Sequence, residues 1–199
     1  MTTPATERHP LRPFLPQGAR LLMLGSFPPP RTRWSMDFFY PNYINDMWRV
    51  MGLVFYADKN YFVDEARRTF RLDLLIPFLE HRGIALFDTA TAVRRLKDNA
   101  SDKFLEITER TNIAALIHAM PCLQTLCTTG QRATETLIAS LADHGIKVQT
   151  PPVGDYTPFT FAVQEMRFYR MPSTSRAYPL AIEKKAAHYA AMFHAVGIV

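Results

Sequence analysis

The sequence predicts a three-layer α/β/α domain built on a central, mainly parallel sheet, and three observations carry that reading. Three short apolar runs, Arg20–Leu24, Ile84–Phe87 and Leu123–Cys127, have the continuous hydrophobicity of strands buried on both faces. Stretches with apolar residues near helical spacing separate them. The 199 residues suffice for one sizeable core and are short for two independent domains, so a single domain over 1–199 is expected. Strands joined by helical crossovers lie parallel, are covered on both faces and bind ligands at their carboxyl ends.

Taken in order, the first run follows a Pro-rich lead-in and ends at Gly25 and the prolines Pro28, Pro29 and Pro30, as a buried strand entering a loop does. Ile44, Met47, Trp48, Met51 and Leu53 to Phe55 predict a helix fed by that loop, with Asn45 in its first turn. A second helix is expected over about Val63 to His81, with a break near Pro77 left open. Ile84–Phe87 forms the second strand, closed by Asp88. Residues from about Ile107 to Met120 read as helix, Leu123–Cys127 as the third strand, and Gly130 leads into a helix reaching about His144. Residues 151–160 are rich in Pro, Gly and Thr and read as loop. Alternation through Phe159, Phe161, Val163, Met166 and Phe168 predicts a hairpin or an extended last strand ending at Pro172. The Ala-rich segment Leu180 to Val196, with Lys184 and Lys185 on one side, predicts a closing amphipathic helix.

Composition narrows the function classes. With 48% hydrophobic and 21% charged residues the chain is neither disordered nor fibrous. A net charge of +5 and a pI near 9.4 favour a polyanionic partner. The start carries no charged-then-apolar signal pattern and no apolar stretch is long enough for a membrane span, so a cytoplasmic monomer that does not contact membrane is expected. Cys122 and Cys127 are too few for a thiolate-held zinc or iron–sulfur site and read as two core thiols. The six histidines show no metal-ligand spacing; no metal or cofactor is implied.

Three segments fall at the carboxyl ends of the strands. The first is Gly25-Ser26-Phe27-Pro28-Pro29-Pro30, continued by Phe38-Phe39-Tyr40 and by Asn42-Tyr43-Ile44-Asn45-Asp46-Met47-Trp48. The second is Met171-Pro172-Ser173-Thr174-Ser175-Arg176, and between them lies Thr128-Thr129-Gly130. On residue chemistry alone each has an innocent reading: a proline-shaped turn, core aromatics, a helix cap. Together, in this order from about Leu11 to Val196, they resemble the motifs of the uracil-DNA glycosylase superfamily, in its hypoxanthine-DNA and mismatch-specific branches. Those relatives carry a Gly-Ser-Phe-Pro-Gly or Gly-x-Asn-Pro-Gly loop, a His-Pro-x-Asn-x-Phe-Trp stretch, Phe-Asn-Gly, and a closing Pro-Ser-Thr-Ser or Pro-Ser-Gly.

The resemblance implies a uracil-DNA glycosylase-like fold and a monofunctional DNA glycosylase of base-excision repair, a hydrolase acting on uracil or hypoxanthine in single- or double-stranded DNA. A base cannot be attacked inside a duplex, so it is flipped into a pocket, stacked on an aromatic face and read through its pairing edge. Gly25, Ser26, Phe27, Tyr40 and Thr129 are the implied base-binding residues, with Tyr40 as the stacking ring. The departing base takes negative charge, which the backbone amides around Ser26 and Phe27 and the hydroxyls of Ser173, Thr174 or Ser175 would stabilise. Asn45, counted back from Trp48, is the implied water-positioning catalytic residue, with Ser173 and Ser175; Asp46 and Asp37 are reserve carboxylates. Arg176 or Tyr178 would fill the gap left by the flipped base. Arg31, Arg33, Arg167, Arg170, Lys184, Lys185 and the run Arg94-Arg95-Leu96-Lys97 are candidate phosphate contacts.

The sequence departs from that pattern in ways that bear on substrate choice. Asn42-Tyr43 replaces His-Pro, Pro29 replaces the second glycine, Thr129 replaces the recognition Asn, and Phe27 stands where other branches place a water-orienting Asp or Asn. A Thr hydroxyl discriminates less sharply than a bidentate amide. Two rival expectations follow: a catalytically weak or inactive DNA-binding module that senses flipped bases, and a binder of free nucleobases on the same fold.

Overall fold

The computed structural model describes residues 4–96 and 104–199. In chain order its elements are β1 (Thr6–Arg8), β2 (Leu21–Gly25), α1 (Met47–Tyr56), β3 (Val63–Asp64), β4 (Thr69–Phe70), α2 (Leu72–Arg82), β5 (Ile84–Asp88), β6 (Ala90–Arg95) and β7 (Leu105–Arg110). There follow α3 (Ile113–Ala119), β8 (Thr125–Thr129), α4 (Gln131–Asp143), β9 (Asp155–Phe161), β10 (Gln164–Met171) and α5 (Ile182–Ala195).

The three apolar runs become β2, β5 and β8, and every residue of each is buried. They sit in a five-stranded sheet of order β5-β2-β8-β10-β9, in which the first four strands run parallel and β9 is an antiparallel edge. The chain leaves β2 outward to β5, then returns past β2 to β8 and on to β10. Winding therefore reverses between β2 and β8, and the loops leaving those two strands part to open a crevice. Helix α1 packs on α5, α3 on α4, α2 against β5 and α4 against β8. No helix among the described residues is long and apolar enough to cross a membrane.

Three elements differ from the sequence expectations. Over the expected helix Val63 to His81, Val63 and Phe70 instead pair across a hairpin that buries both side chains, and α2 starts only at Leu72. Pro77 lies inside α2 without ending it. The expected helix from Ile107 is a strand, β7, which pairs with the unanticipated β6; with β1 they make a separate antiparallel sheet of order β1-β6-β7. Its Glu-rich sequence suits a helix, but Leu105 and Ile107 alternate with exposed charges and pack with Phe27, Ala90 and Val93 in a small second core, so burial overrides propensity. The stretch 151–160 is loop only to Gly154; β9 and β10 form the hairpin alternative, turning at Ala162 with φ 55°. Of the two cysteines, Cys127 is buried in β8 while Cys122 is exposed, so only one is a core thiol.

Candidate functional site

A cleft of about 140 Å³ opens at the carboxyl ends of β2, β5 and β8. Its walls are the loop leaving β2 (Gly25 to Pro29), the segment from Phe39 to Asn45, Asp88, Thr129, and Ser173 to Ser175 beyond β10. Gly25 leaves room at its floor for Asp88: a Cβ there would run into Asp88 Oδ1 and push the carboxylate aside. Gly130, at φ +112°, turns β8 into α4 beside Ser173.

Asp88 ends β5 with its carboxylate in the cleft. His9, arriving from beyond β1, places Nε2 2.9 Å from Asp88 Oδ2, and its side chain is only 3% exposed. A carboxylate oxygen accepts, so Nε2–H is the ring donor toward Asp88, while Nδ1 lies 3.1 Å from the Leu11 amide and 3.0 Å from the Leu11 carbonyl oxygen. The edge of the imidazole meets Phe27 at 5.3 Å, and Phe87 covers it at 4.7 Å. Neither residue was singled out from sequence as part of the site. For Asp88 the signal existed, a lone carboxylate closing a wholly apolar parallel strand. For His9 there was none, because its arm pairs with a sheet that hydrophobic periodicity did not disclose.

Tyr40 and Thr129, both expected to bind a base, meet directly: their hydroxyl oxygens are 3.0 Å apart. Tyr40 adopts φ 49°, uncommon for a bulky residue, and its ring stands edge-on to Trp48 at 6.0 Å. Burial, and then the nearby Asp88 charge, push the Tyr40 hydroxyl well above its ordinary pKa. The hydroxyl therefore stays protonated at neutral pH and is a donor or acceptor to whatever enters.

Asn45 precedes α1 rather than lying in its first turn; its Oδ1 accepts the Met47 amide at 2.9 Å. That bond fixes the side chain at the cleft and leaves Nδ2 without a partner among the described residues. Across the cleft, Ser173 and Ser175 accept the amides of Ser175 and Ala177, each at 3.2 Å, so each hydroxyl hydrogen is free to point elsewhere. Ser26 is buried at the wall. Phe27 lines the cleft too, but its ring belongs to the second core against β6 and β7, which leaves its backbone as the polar part of that residue.

Behind the cleft the two loops are joined. The Asp46 amide donates to Thr174 O at 2.9 Å, and its carboxylate receives Lys185 Nζ at 2.9 Å and Arg176 Nε at 3.2 Å. Lys185 is 1% exposed and also donates to Ser175 O at 2.8 Å. Asp46 and Lys185 thus act as a joint between loops, in place of the roles as reserve base and phosphate contact. Arg176 is tethered to Asp46 yet half-exposed, and Tyr178 is partly buried just after it.

The remaining basic candidates separate by position. Arg31 pairs with Asp37 and lies 3.9 Å over Trp34, on a short 3-10 turn with exposed Arg33 at the rim of the first loop. Arg95 is engaged inside, donating to Glu7 and to Pro28 O, while Arg94 pairs with Glu106; Lys97 lies outside the described residues. Arg167 pairs in register with Thr125, the first residue of β8, at the end of the sheet away from the cleft; Arg170 lies three residues further along β10, and Lys184 is exposed on α5. Among the described residues no three His, Cys, Asp or Glu side chains converge as metal ligands.

The fold is similar to that of a protein from Methanosarcina acetivorans, solved in solution by NMR and described as a candidate uracil DNA glycosylase. The TM-score is 0.63 with 20% identical residues, over 97% of this chain and 99% of that one, a likeness of fold. No protein-family model and no curated protein matches the sequence.

Proposed function

We propose that this chain belongs to the uracil-DNA glycosylase superfamily as a three-layer α/β/α domain, and hydrolyses the bond between a deaminated base and deoxyribose in DNA. The observation that carries the reading is the convergence of Asn45, Tyr40, Thr129, Asp88 and the Ser173–Ser175 hydroxyls on one cleft at the switch point of the sheet. The structural neighbour's description supports it.

In this reading the extruded base lies against Tyr40, with the Thr129 hydroxyl and the Asp88 carboxylate along its polar edge. A carboxylate accepts and does not donate, so Asp88 favours a base that turns an N–H toward it, as uracil does at its imide and hypoxanthine at its lactam. A carboxylate beside a departing anion is repulsive; the His9 Nε2–H hydrogen bond draws Oδ2 charge away from the base, and the amides of Ser26 and Phe27 with the Ser173 and Ser175 hydroxyls stabilise the base oxygen. Asn45 Nδ2 donates to the attacking water and holds it against the sugar; the water oxygen bonds to the sugar carbon as the bond to the base breaks, and the proton the water sheds is taken up by the departing base anion.

The test is single-turnover release of uracil, hypoxanthine and xanthine from labelled single- and double-stranded DNA by wild type and Asn45→Ala. Release that falls by about a hundredfold or more in the variant is expected, the scale of a lost water-positioning group. The turn of Phe27 away from water-orienting work favours a second reading, a sensor of flipped bases. Tight binding of damaged DNA with no release by wild type would decide for it.

A further inference from the structure

We propose that a second, cationic cleft, behind the seam that joins the two pocket loops, is a phosphate subsite for the strand flanking the extruded nucleotide. This cleft, about 520 Å³, is bordered by Arg49, Lys59, Arg176 and Lys185 against the carboxylates Asp46 and Glu65. Both carboxylates are already engaged: Asp46 by Lys185 and Arg176, and Glu65 by Asn60 Nδ2 at 2.9 Å. On the positive side Lys185 is spent on Asp46 and Ser175 O, but the other three cations keep charge or donors to spare. Arg49 is buried with its hydrogen bonds directed to the carbonyls of Tyr43 and Asn45 and its guanidinium over the Tyr43 and Phe70 rings, and among the described residues no carboxylate pairs with it. Burial, followed by the Arg176 charge, lowers its pKa, which marks a cation held beside another cation. Arg176 uses only Nε on Asp46, so its two terminal nitrogens have no partner among the described residues; Lys59 is exposed and likewise unpaired.

Position supplies the identity of the anion. Asn45 and Ser175 face the base cleft, while the next residues in the chain, Asp46 and Arg176, face the cationic one. A nucleotide whose base occupies the first cleft carries its own phosphates across that seam. A guanidinium fork with two free nitrogens matches the paired oxygens of a phosphate, and a neighbouring lysine adds charge without demanding geometry. The source of the phosphate, a nucleic-acid strand, rests on the glycosylase reading; the anion site itself does not.

The experiment measures the affinity of a fluorescent uracil-containing single strand across a salt series for wild type, Lys59→Glu and Arg176→Ala, with circular dichroism to confirm folding. Lys59 is exposed, so its variant keeps the test usable should Arg176→Ala lose stability. Each lost phosphate contact is expected to flatten the dependence of log affinity on log salt by about one unit. A steep slope in wild type that both folded variants leave unchanged overturns the subsite while leaving the glycosylase reading intact. If wild type does not bind the strand, yet inorganic phosphate raises the melting temperature of wild type and not of Arg176→Ala, the strand assignment is overturned together with the glycosylase reading. Flatter slopes in both variants support the proposal as stated.

Discussion

Asp46 and Asp88 are equally buried, each 7% exposed, and both stand at the mouth of a loop that shapes the cleft, yet their surroundings differ. Asp46 begins α1 and is held by two cations from beyond β10, so both oxygens are engaged and its part is to hold two loops together. Asp88 ends a parallel strand and is held by one imidazole on one oxygen, while Oδ1 lies over the Cα of Gly25 with no hydrogen-bond partner among the described residues. Burial alone does not separate the two carboxylates. The number of partners, and whether an oxygen is left facing a cavity, does.

Breaking the Asp46 side gives the largest expected effect. Lys185→Met leaves a buried carboxylate with one half-exposed partner, and loss of one member of a buried pair costs about 3–5 kcal/mol. Urea unfolding of Lys185→Met should show that loss, and Asp46→Asn in the same background should recover part of it, because the stranded charge is gone. Equal stability of wild type and Lys185→Met would mean that the joint between the loops is ornamental.

The Asp88 side should break more gently. His9→Ala removes one hydrogen-bond partner from a carboxylate that still faces the cleft, with an expected cost of about 1–3 kcal/mol by the same measurement. The contrast sharpens if Asp88→Asn, which keeps an acceptor for His9 but removes the charge, preserves the fold and alters which base is released. A loss for His9→Ala as large as that for Lys185→Met would erase the distinction drawn here.

The smallest effect concerns pH. The folded state raises the pKa of Tyr40, by burial first and by Asp88 next, and burial raises that of Tyr189. The neutral phenols therefore stabilise the fold fully below the unfolded value of about 10 and lose that contribution as pH rises through the raised folded values. Stability should fall above about pH 10. Tyr40→Phe, which cannot ionise, should fall less steeply over the same range; parallel curves would remove Tyr40 from the account.

The sequence by itself determined the parallel strands and the loops that leave them. Short continuous apolar runs such as Leu21–Leu24 and Ile84–Phe87, set between helical stretches, suit strands of a sheet covered on both faces, and Gly130, at φ +112°, permits the turn that leaves β8. The placement of Gly25, Tyr40, Asn45, Thr129, Ser173 and Ser175 around one cleft follows from that, since parallel strands put all their carboxyl ends on one side. Only the tertiary structure decided the antiparallel sheet of β1, β6 and β7, because its short strands carry weak alternation and a Glu-rich segment whose local preference is helical. It alone also chose the partners of the buried carboxylates: His9 with Asp88 and Lys185 with Asp46 are 79 and 139 residues apart in the chain. Hydrophobic periodicity is a property of neighbours in sequence, whereas the partner of a buried charge is set by which distant segments the core brings together.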